Sequence, residues 1–161
     1  MERVVLRYRL YKETAMKEKL EWTDTYSIHN EKIDRQHQYL FDLYNKMQQL
    51  ETTEDDVDQI KKAVVSLYDY VKIHFKAEED YMASIHYPGL DDHHALHEEI
   101  VHKMNEYMKH STNIAALVYK FKVLLYDWAM EHILQQDQKI CRFTQRKEKA
   151  QTEEDAETSG T

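Results

Sequence analysis

The chain has 161 residues, of which 32% are charged, and a formal net charge of −8. This length fits one domain with a sizeable core. The acidic balance, with no basic stripe, argues against nucleic acid and anionic membrane as partners. Two glycines and one proline provide too little turn chemistry for an all-β fold and favour long helices joined by short loops.

The chain carries no sign of export or membrane insertion. No stretch approaches the length of a membrane span, and the first twelve residues contain only three consecutive apolar residues, too few for a secretory signal. The single cysteine, Cys141, excludes an intrachain disulfide and suits a reducing compartment. We therefore expect a soluble protein located in the cytoplasm.

The predicted elements begin after an N-terminal arm, residues 1–21, whose role is unknown and whose apolar pattern fits either a strand or a helix. Residues 22–141 form the predicted domain, which opens with an irregular segment up to Asn30. Residues 142–161 have no apolar periodicity, so we expect a polar, disordered tail.

Four stretches between Ile33 and His132 repeat apolar residues at alternating steps of about three and four, the spacing of a packed helix. Short connections separate them, and Ser111 or Thr112 is the predicted N-cap of the last one. Because short connections join antiparallel neighbours, the sequence predicts an all-α fold, an up-down-up-down four-helix bundle.

Metal-capable side chains occupy positions on these helices where Leu or Ile would be expected. They are His37, His74, Glu78, His93, His97 and His132, with at least one on each helix. His74 and Glu78 are four residues apart, as are His93 and His97, so each pair lies on one helix face. Imidazole and carboxylate together are ligands for borderline transition metals, and this number suits two ions better than one.

Asp137 is a seventh candidate, which helical periodicity alone does not select. It lies five residues after His132, about 140° around an ideal helix. A regular α-helix would not aim both side chains at one point. Either the helix carries a π-bulge between them or it ends there.

The segments HFKAEEDYM, HHALH and WAMEHILQQD, preceded by IDRQH, resemble the hemerythrin family, specifically single-domain bacteriohemerythrins. The likeness covers residues 22–137, including WTDTYS near its start. It implies two iron ions joined by an oxo or hydroxo bridge and by the carboxylates of Glu78 and Asp137. It also implies the histidine ligands, which are His93, His97 and His132 on one iron and His37 and His74 on the other.

The same resemblance implies reversible dioxygen binding at the iron with an open position, for oxygen carriage, storage or delivery in the cell, and no enzyme activity. The predicted oxygen pocket is lined by Trp128, Phe75, Leu40 and Ile100. Two rival functions are an oxygen or redox sensor that signals through a partner, and a di-iron peroxidase or oxidase. An unidentified protein that receives the oxygen is a further hypothesis, and the ligand set alone would also accept manganese.

One departure from the family pattern is His29, because relatives usually have a glycine after YS and a hydrophobic residue. Glycine adopts backbone conformations that histidine tolerates less well, so we expect this loop to differ. Among the other histidines, His94 points about 100° away from His93 on a helix, so we expect it to face solvent or a neighbouring helix.

Overall fold

The computed structural model describes residues 18–50, 53 and 56–159. After a short 3-10 turn at Asp24–Tyr26, the helices are α1 (Glu31–Gln49), α2 (Val57–Ser84), α3 (Leu90–His110) and α4 (Ile114–Asp127). A π-helical segment, Trp128–Asp137, then joins α4 to α5 (Gln138–Ser159) without interruption. The predicted all-α bundle is confirmed for the described residues, with α4, the π-helical segment and α5 forming its fourth member.

The bundle core follows the stripe that helical periodicity predicts. Leu40 and Tyr44 on α1, Leu67 on α2, Met104 on α3 and Phe121 on α4 are all at most 1% exposed. Burying each such side chain contributes on the order of 1.5–3 kcal/mol. Helix α1 packs against α2 and α4, and α3 packs against the same two helices. This arrangement brings one face of every helix to a common interior.

The start of α4 lies slightly later than the sequence predicts. Asn113 is the N-cap, and its side-chain oxygen accepts a hydrogen bond of 2.8 Å from the backbone N–H of Ala116. Ser111 instead ends α3, with its N–H donating to the Tyr107 carbonyl at 3.1 Å. The predicted caps, Ser111 and Thr112, were therefore wrong, because the amide of the next polar residue reaches the free N–H groups of α4.

The loop before α1 is held by the carboxylate of Asp34. It accepts hydrogen bonds from the Ser27 hydroxyl at 2.7 Å and from the Ile28 backbone N–H at 2.9 Å. Within this loop His29 has a φ of 59°, in the left-handed region that residues with a Cβ atom rarely adopt. The position thus has a conformation that glycine favours, although a histidine occupies it.

The fourth bundle member extends further than the predicted domain. Residues 142–159 continue α5, where the sequence analysis predicts a disordered tail. Phe143 packs edge-on against Tyr87 with ring centroids 5.4 Å apart, whereas residues 145–157 are exposed. Residues 145–157 have no apolar periodicity because they are exposed rather than packed in the core. They are helical nevertheless, because their Glu, Lys, Gln and Ala residues are strong helix formers. The disordered tail is therefore corrected to an exposed helical extension.

The beginning of the described chain is fixed to α1. The backbone N–H of Leu20 donates to the Asn45 side-chain oxygen at 2.9 Å, and the Asn45 amide donates to the Leu20 carbonyl at 2.8 Å. Residues 1–17 of the predicted arm lie outside the described residues. None of the helices described here is both long and apolar enough to cross a bilayer.

Replacing His29 with glycine should raise the free energy of unfolding by about 1 kcal/mol, because glycine adopts the left-handed backbone without steric cost. Urea denaturation of the variant and the wild type measures this difference. The matched control is His102→Gly at an exposed position inside α3, which should lose about 0.5 kcal/mol, the difference in helix propensity between the two residues. A His29→Gly variant that is less stable than the wild type would contradict the backbone argument.

Candidate metal centre

The predicted ligand residues meet in one buried cluster inside the bundle. They are His37 from α1, His74 and Glu78 from α2, His93 and His97 from α3, and His132 and Asp137 from the π-helical segment. None of these residues is more than 6% exposed. Seven ionisable side chains at one place in an apolar core require partners, because burying polar groups unpaired is costly.

The π-helical segment brings Asp137 into this cluster. In a π-helix the hydrogen bonds join residues five apart, so such residues share one face. Asp137 Oδ1 lies 3.2 Å from His132 Nε2, although the two residues are five positions apart. Of the two alternatives that the sequence leaves open, the structure shows the π-helical one, and it extends over 10 residues.

The ligand atoms fall into two groups that share Glu78. His93, His97 and His132 form the three-histidine group, and His37 and His74 form the two-histidine group. Each group, together with Glu78, offers one nitrogen or oxygen atom per residue, all within 4.8 Å of one another. This spacing is compatible with one metal ion in each group.

Glu78 presents one carboxylate oxygen to each group. Its Oε2 atom lies 3.2 Å from His93 Nε2 and 3.1 Å from His97 Nε2. Its Oε1 atom faces the other way, 3.9 Å from His37 Nε2. The carboxylate therefore lies between the three-histidine group and the two-histidine group.

Asp137 lies between the same two groups. Its Oδ1 atom is 3.4 Å from His93 Nε2 and 3.2 Å from His132 Nε2. Its Oδ2 atom is 3.2 Å from His37 Nε2. Two carboxylates with this orientation, one from α2 and one from the π-helical segment, are placed to be shared by two adjacent cations.

Several polar atoms of the cluster have no hydrogen-bond partner among the described residues. They are Nδ1 and Nε2 of His37, Nε2 of His74, Oε1 of Glu78 and both carboxylate oxygens of Asp137. Each buried unpaired group costs about 1–3 kcal/mol. Nitrogen and oxygen atoms that approach one another without forming hydrogen bonds are what a metal site requires, so the cluster fits metal ions.

Hydrogen bonds behind the cluster orient two of the imidazoles. His74 Nδ1 donates to the side-chain oxygen of Gln36 at 3.2 Å, and His97 Nδ1 donates to Glu79 Oε1 at 2.8 Å. Because a neutral imidazole has a single N–H, donation from Nδ1 leaves the Nε2 lone pair free for a metal. Glu79 Oε1 also accepts from Nδ1 of His94 at 2.9 Å, and the His94 side chain is exposed, as expected.

Gln36 and Glu79 are not among the site residues predicted from the sequence. Gln36 directly precedes His37, and Glu79 directly follows Glu78. Both therefore lie beside the inward-facing stripe that helical periodicity selects. In the sequence, each residue is marked only by being a polar residue next to a ligand position. Polar residues are common on the surface of any helix, so this feature does not single them out.

Burial keeps histidines of the cluster neutral. Desolvation lowers the pKa of His37, lowers that of His132 well below its ordinary value and lowers that of His74 to about 3. Each effect is opposed in part by the negative charge of Glu78. At neutral pH these imidazoles are therefore uncharged, which is the form that binds metals.

The two carboxyl groups of the cluster differ in their proton affinity. Burial raises the pKa of Asp137 well above its ordinary value, and the negative charge of Glu78 adds to this effect. Burial also acts to raise the pKa of Glu78, but the interactions of its Oε2 atom with the His93 and His97 imidazoles outweigh burial and hold that pKa well below its usual range. Without a metal, the buried pair therefore carries its charge on Glu78.

Two predicted pocket residues lie against the histidines. The Phe75 ring is stacked on His97, with centroids 3.7 Å apart and an interplanar angle of 6°. The Trp128 ring lies 6.0 Å from His74 and 6.3 Å from His132. Aromatic rings thus cover both groups of ligands.

The other two predicted pocket residues, Ile100 and Leu40, are located by a pocket and by burial rather than by a ring contact with a histidine. Ile100 lines a pocket of about 190 Å³ together with Trp128 and His132. Leu40 is completely buried, one turn after His37 on α1. A role in oxygen binding stays a prediction for all four pocket residues.

Replacing Glu79 with alanine should weaken metal retention about 10- to 100-fold, because His97 loses the acceptor that fixes its ring. The measurement is bound metal per chain after equilibration with graded concentrations of a chelator. Asp80→Ala is the matched control, since Asp80 is the next residue and pairs only with the exposed Lys76 among the described contacts. Equal retention by the two variants would show that Glu79 does not support the site.

The metal-free protein should lose stability as the pH falls from 7 to 5. Histidines with a lowered folded-state pKa, such as His74 at about 3, bind fewer protons in the folded state than in the unfolded state. Below the histidine pKa in the unfolded chain, about 6.5, each such histidine lowers the free energy of unfolding by up to ~1.4 kcal/mol for each pH unit of acidification. The raised pKa of Asp137 has the opposite effect on stability. Three histidines, His37, His74 and His132, have lowered pKa values, so their effect is the larger one.

Urea denaturation at both pH values measures this dependence. The control is the metal-loaded protein at pH 7, in which bound metal should raise the unfolding midpoint by mass action. A metal-free protein whose stability rises on acidification would contradict the assignment of neutral buried histidines.

Comparison with known proteins supports this reading of the cluster. Residues 29–143 match the family described as a hemerythrin HHE cation binding domain. The chain is 34% identical over 126 residues to a bacteriohemerythrin of Clostridium acetobutylicum, covering 72% of this chain and 94% of that protein. It is 24% identical over 122 residues to a bacteriohemerythrin of Campylobacter jejuni, covering 75% and 92% of the two chains. No solved structure matches the chain significantly.

A more distant relative is a hemerythrin-like protein of Naegleria gruberi, 28% identical over 88 residues that cover 55% of this chain and 68% of that protein. The family match includes all seven clustered residues. The chain therefore belongs to the hemerythrin family, whose bundle binds two iron ions, and its buried histidines and carboxylates form a cluster able to hold metal ions.

Proposed function

We propose that this chain binds dioxygen reversibly at a non-haem di-iron centre, for oxygen carriage, storage or delivery in the cell. The observation that carries the proposal is the position of the two carboxylates. Glu78 and Asp137 each direct one oxygen towards the three-histidine group and the other towards the two-histidine group. Both carboxylates can therefore bridge two iron ions.

The unequal histidine groups leave room for a small molecule at one iron. With both carboxylates bridging, the three-histidine group supplies five protein ligands (three plus two) and the two-histidine group supplies four (two plus two). The position with fewer protein ligands is open to an exogenous ligand. A di-iron centre bound here supplies the electrons and the binding position for dioxygen.

The charges and surroundings of the cluster favour binding over turnover. Neutral imidazoles complete the coordination without adding charge, while the carboxylates offset part of the charge of two cations. Phe75 and Trp128 cover the ligands with apolar rings, which limits the access of water and protons. Limited proton access favours the release of intact dioxygen over the release of its reduced forms.

Sensing is a second candidate function, and one contact favours it. The Trp22 ring lies 6.2 Å from the His37 ring, and the chain just before it is fixed to α1 through Leu20 and Asn45. A change at His37 can thus reach the segment that leads into the N-terminal arm. Binding of a cytoplasmic protein partner that depends on oxygen would distinguish a sensor from a carrier.

The test of the proposed function is anaerobic reduction of the iron-loaded protein, followed by oxygen addition and removal. We expect a visible charge-transfer band that appears with oxygen and disappears without it over repeated cycles. Asp137→Ala should abolish this band and lower the iron content, whereas the control Gln135→Ala, at an exposed neighbouring position, should retain both. Immediate oxidation of the wild type without a reversible band would contradict oxygen carriage.

A further inference from the structure

Two buried hydrogen-bond donors near the two-histidine group have no acceptor among residues 18–50, 53 and 56–159. The Tyr70 hydroxyl and the Trp128 indole N–H lack a hydrogen-bond partner in the described part of the chain, although these residues are only 5% and 2% exposed. An unpaired buried donor is unfavourable, and most buried polar groups in proteins are paired. Each of these donors therefore indicates an acceptor that the described residues do not supply.

Both aromatic rings lie against His74. The Tyr70 ring is stacked on the His74 ring, with centroids 5.1 Å apart and an interplanar angle of 10°. The Trp128 ring lies 6.0 Å from His74 and 5.6 Å from Tyr70. Tyr70 also precedes His74 by one turn of α2, so the two side chains share one helix face. An acceptor within reach of the Tyr70 hydroxyl therefore lies close to His74.

The carboxylates of the cluster do not serve as this acceptor. Glu78 Oε1 and both oxygens of Asp137 are themselves without a hydrogen-bond partner among the described residues. The remaining oxygen, Glu78 Oε2, pairs with His93 and His97. None of the four carboxylate oxygens therefore accepts a hydrogen bond from Tyr70.

We propose that the Tyr70 hydroxyl donates a hydrogen bond to the dioxygen molecule bound beside His74 and thereby slows its release. This inference rests on the proposed function, because it names dioxygen as the missing acceptor. Hydrogen bonds become stronger as the acceptor gains negative charge, and dioxygen gains electron density when it binds to ferrous iron. The low dielectric of the buried site strengthens the interaction further.

Tyr70→Phe tests the inference because it removes the hydroxyl and keeps the ring that stacks on His74. We expect oxygen to dissociate about tenfold faster from the variant, as the loss of one such hydrogen bond predicts, with unchanged iron per chain. The O–O stretching band in the resonance Raman spectrum should also shift. The urea midpoint of the reduced, oxygen-free variant should not fall, because the Tyr70 hydroxyl makes no hydrogen bond to the described residues.

Tyr44→Phe is the matched control. Tyr44 is completely buried on α1, and its hydroxyl has a side-chain hydrogen bond with Gln48. We expect this variant to lower the urea midpoint and to leave the oxygen dissociation rate unchanged. The two tyrosine variants should therefore show opposite patterns.

Two outcomes would overturn the inference, and they are distinguishable. A wild type that binds oxygen reversibly, with a Tyr70→Phe variant that releases it at the same rate, would overturn the role of Tyr70 alone and leave water or another group as the acceptor. A wild type that never binds oxygen reversibly would overturn the proposed function, and the role of Tyr70 with it.

Discussion

The burial of five imidazoles and two carboxylates at one place in an apolar bundle is the constraint on which the rest of this structure depends. Side chains of this kind destabilise a core unless each finds a partner. Two cations shared by Glu78 and Asp137 would satisfy most of them at once. Because a metal ion would bind the folded chain in preference to the unfolded one, the same cluster would couple metal binding to stability.

Much of this centre could be predicted from sequence because the ligands follow the periodicity of the helices that carry them. His74 with Glu78, and His93 with His97, occupy positions that would otherwise hold core residues, and the structure brings both pairs into the cluster. His29 was recognised as unusual for a related reason. The position needs a backbone conformation that most residues avoid, and the structure shows it with a φ of 59°.

Other features could not be predicted because they depend on departures from regular periodicity or on contacts between helices. Asp137 reaches the cluster only because the chain is π-helical from Trp128 to Asp137, and the family resemblance identified it where spacing could not. Glu79 is identified by its hydrogen bond to His97 on another helix, and Tyr70 by a hydroxyl that has no partner among the described residues. Neither feature is visible in the local sequence pattern. The helical extension after residue 141 was missed because apolar periodicity detects packed helices, not exposed ones.

Anomalous diffraction at the iron edge, from crystals of the iron-loaded protein, would test the central claim most directly. The account predicts two adjacent iron peaks inside the bundle, one beside the three-histidine group and one beside the two-histidine group, with Glu78 and Asp137 between them. A single peak in the cluster, or iron bound only at surface residues such as His94, would contradict it.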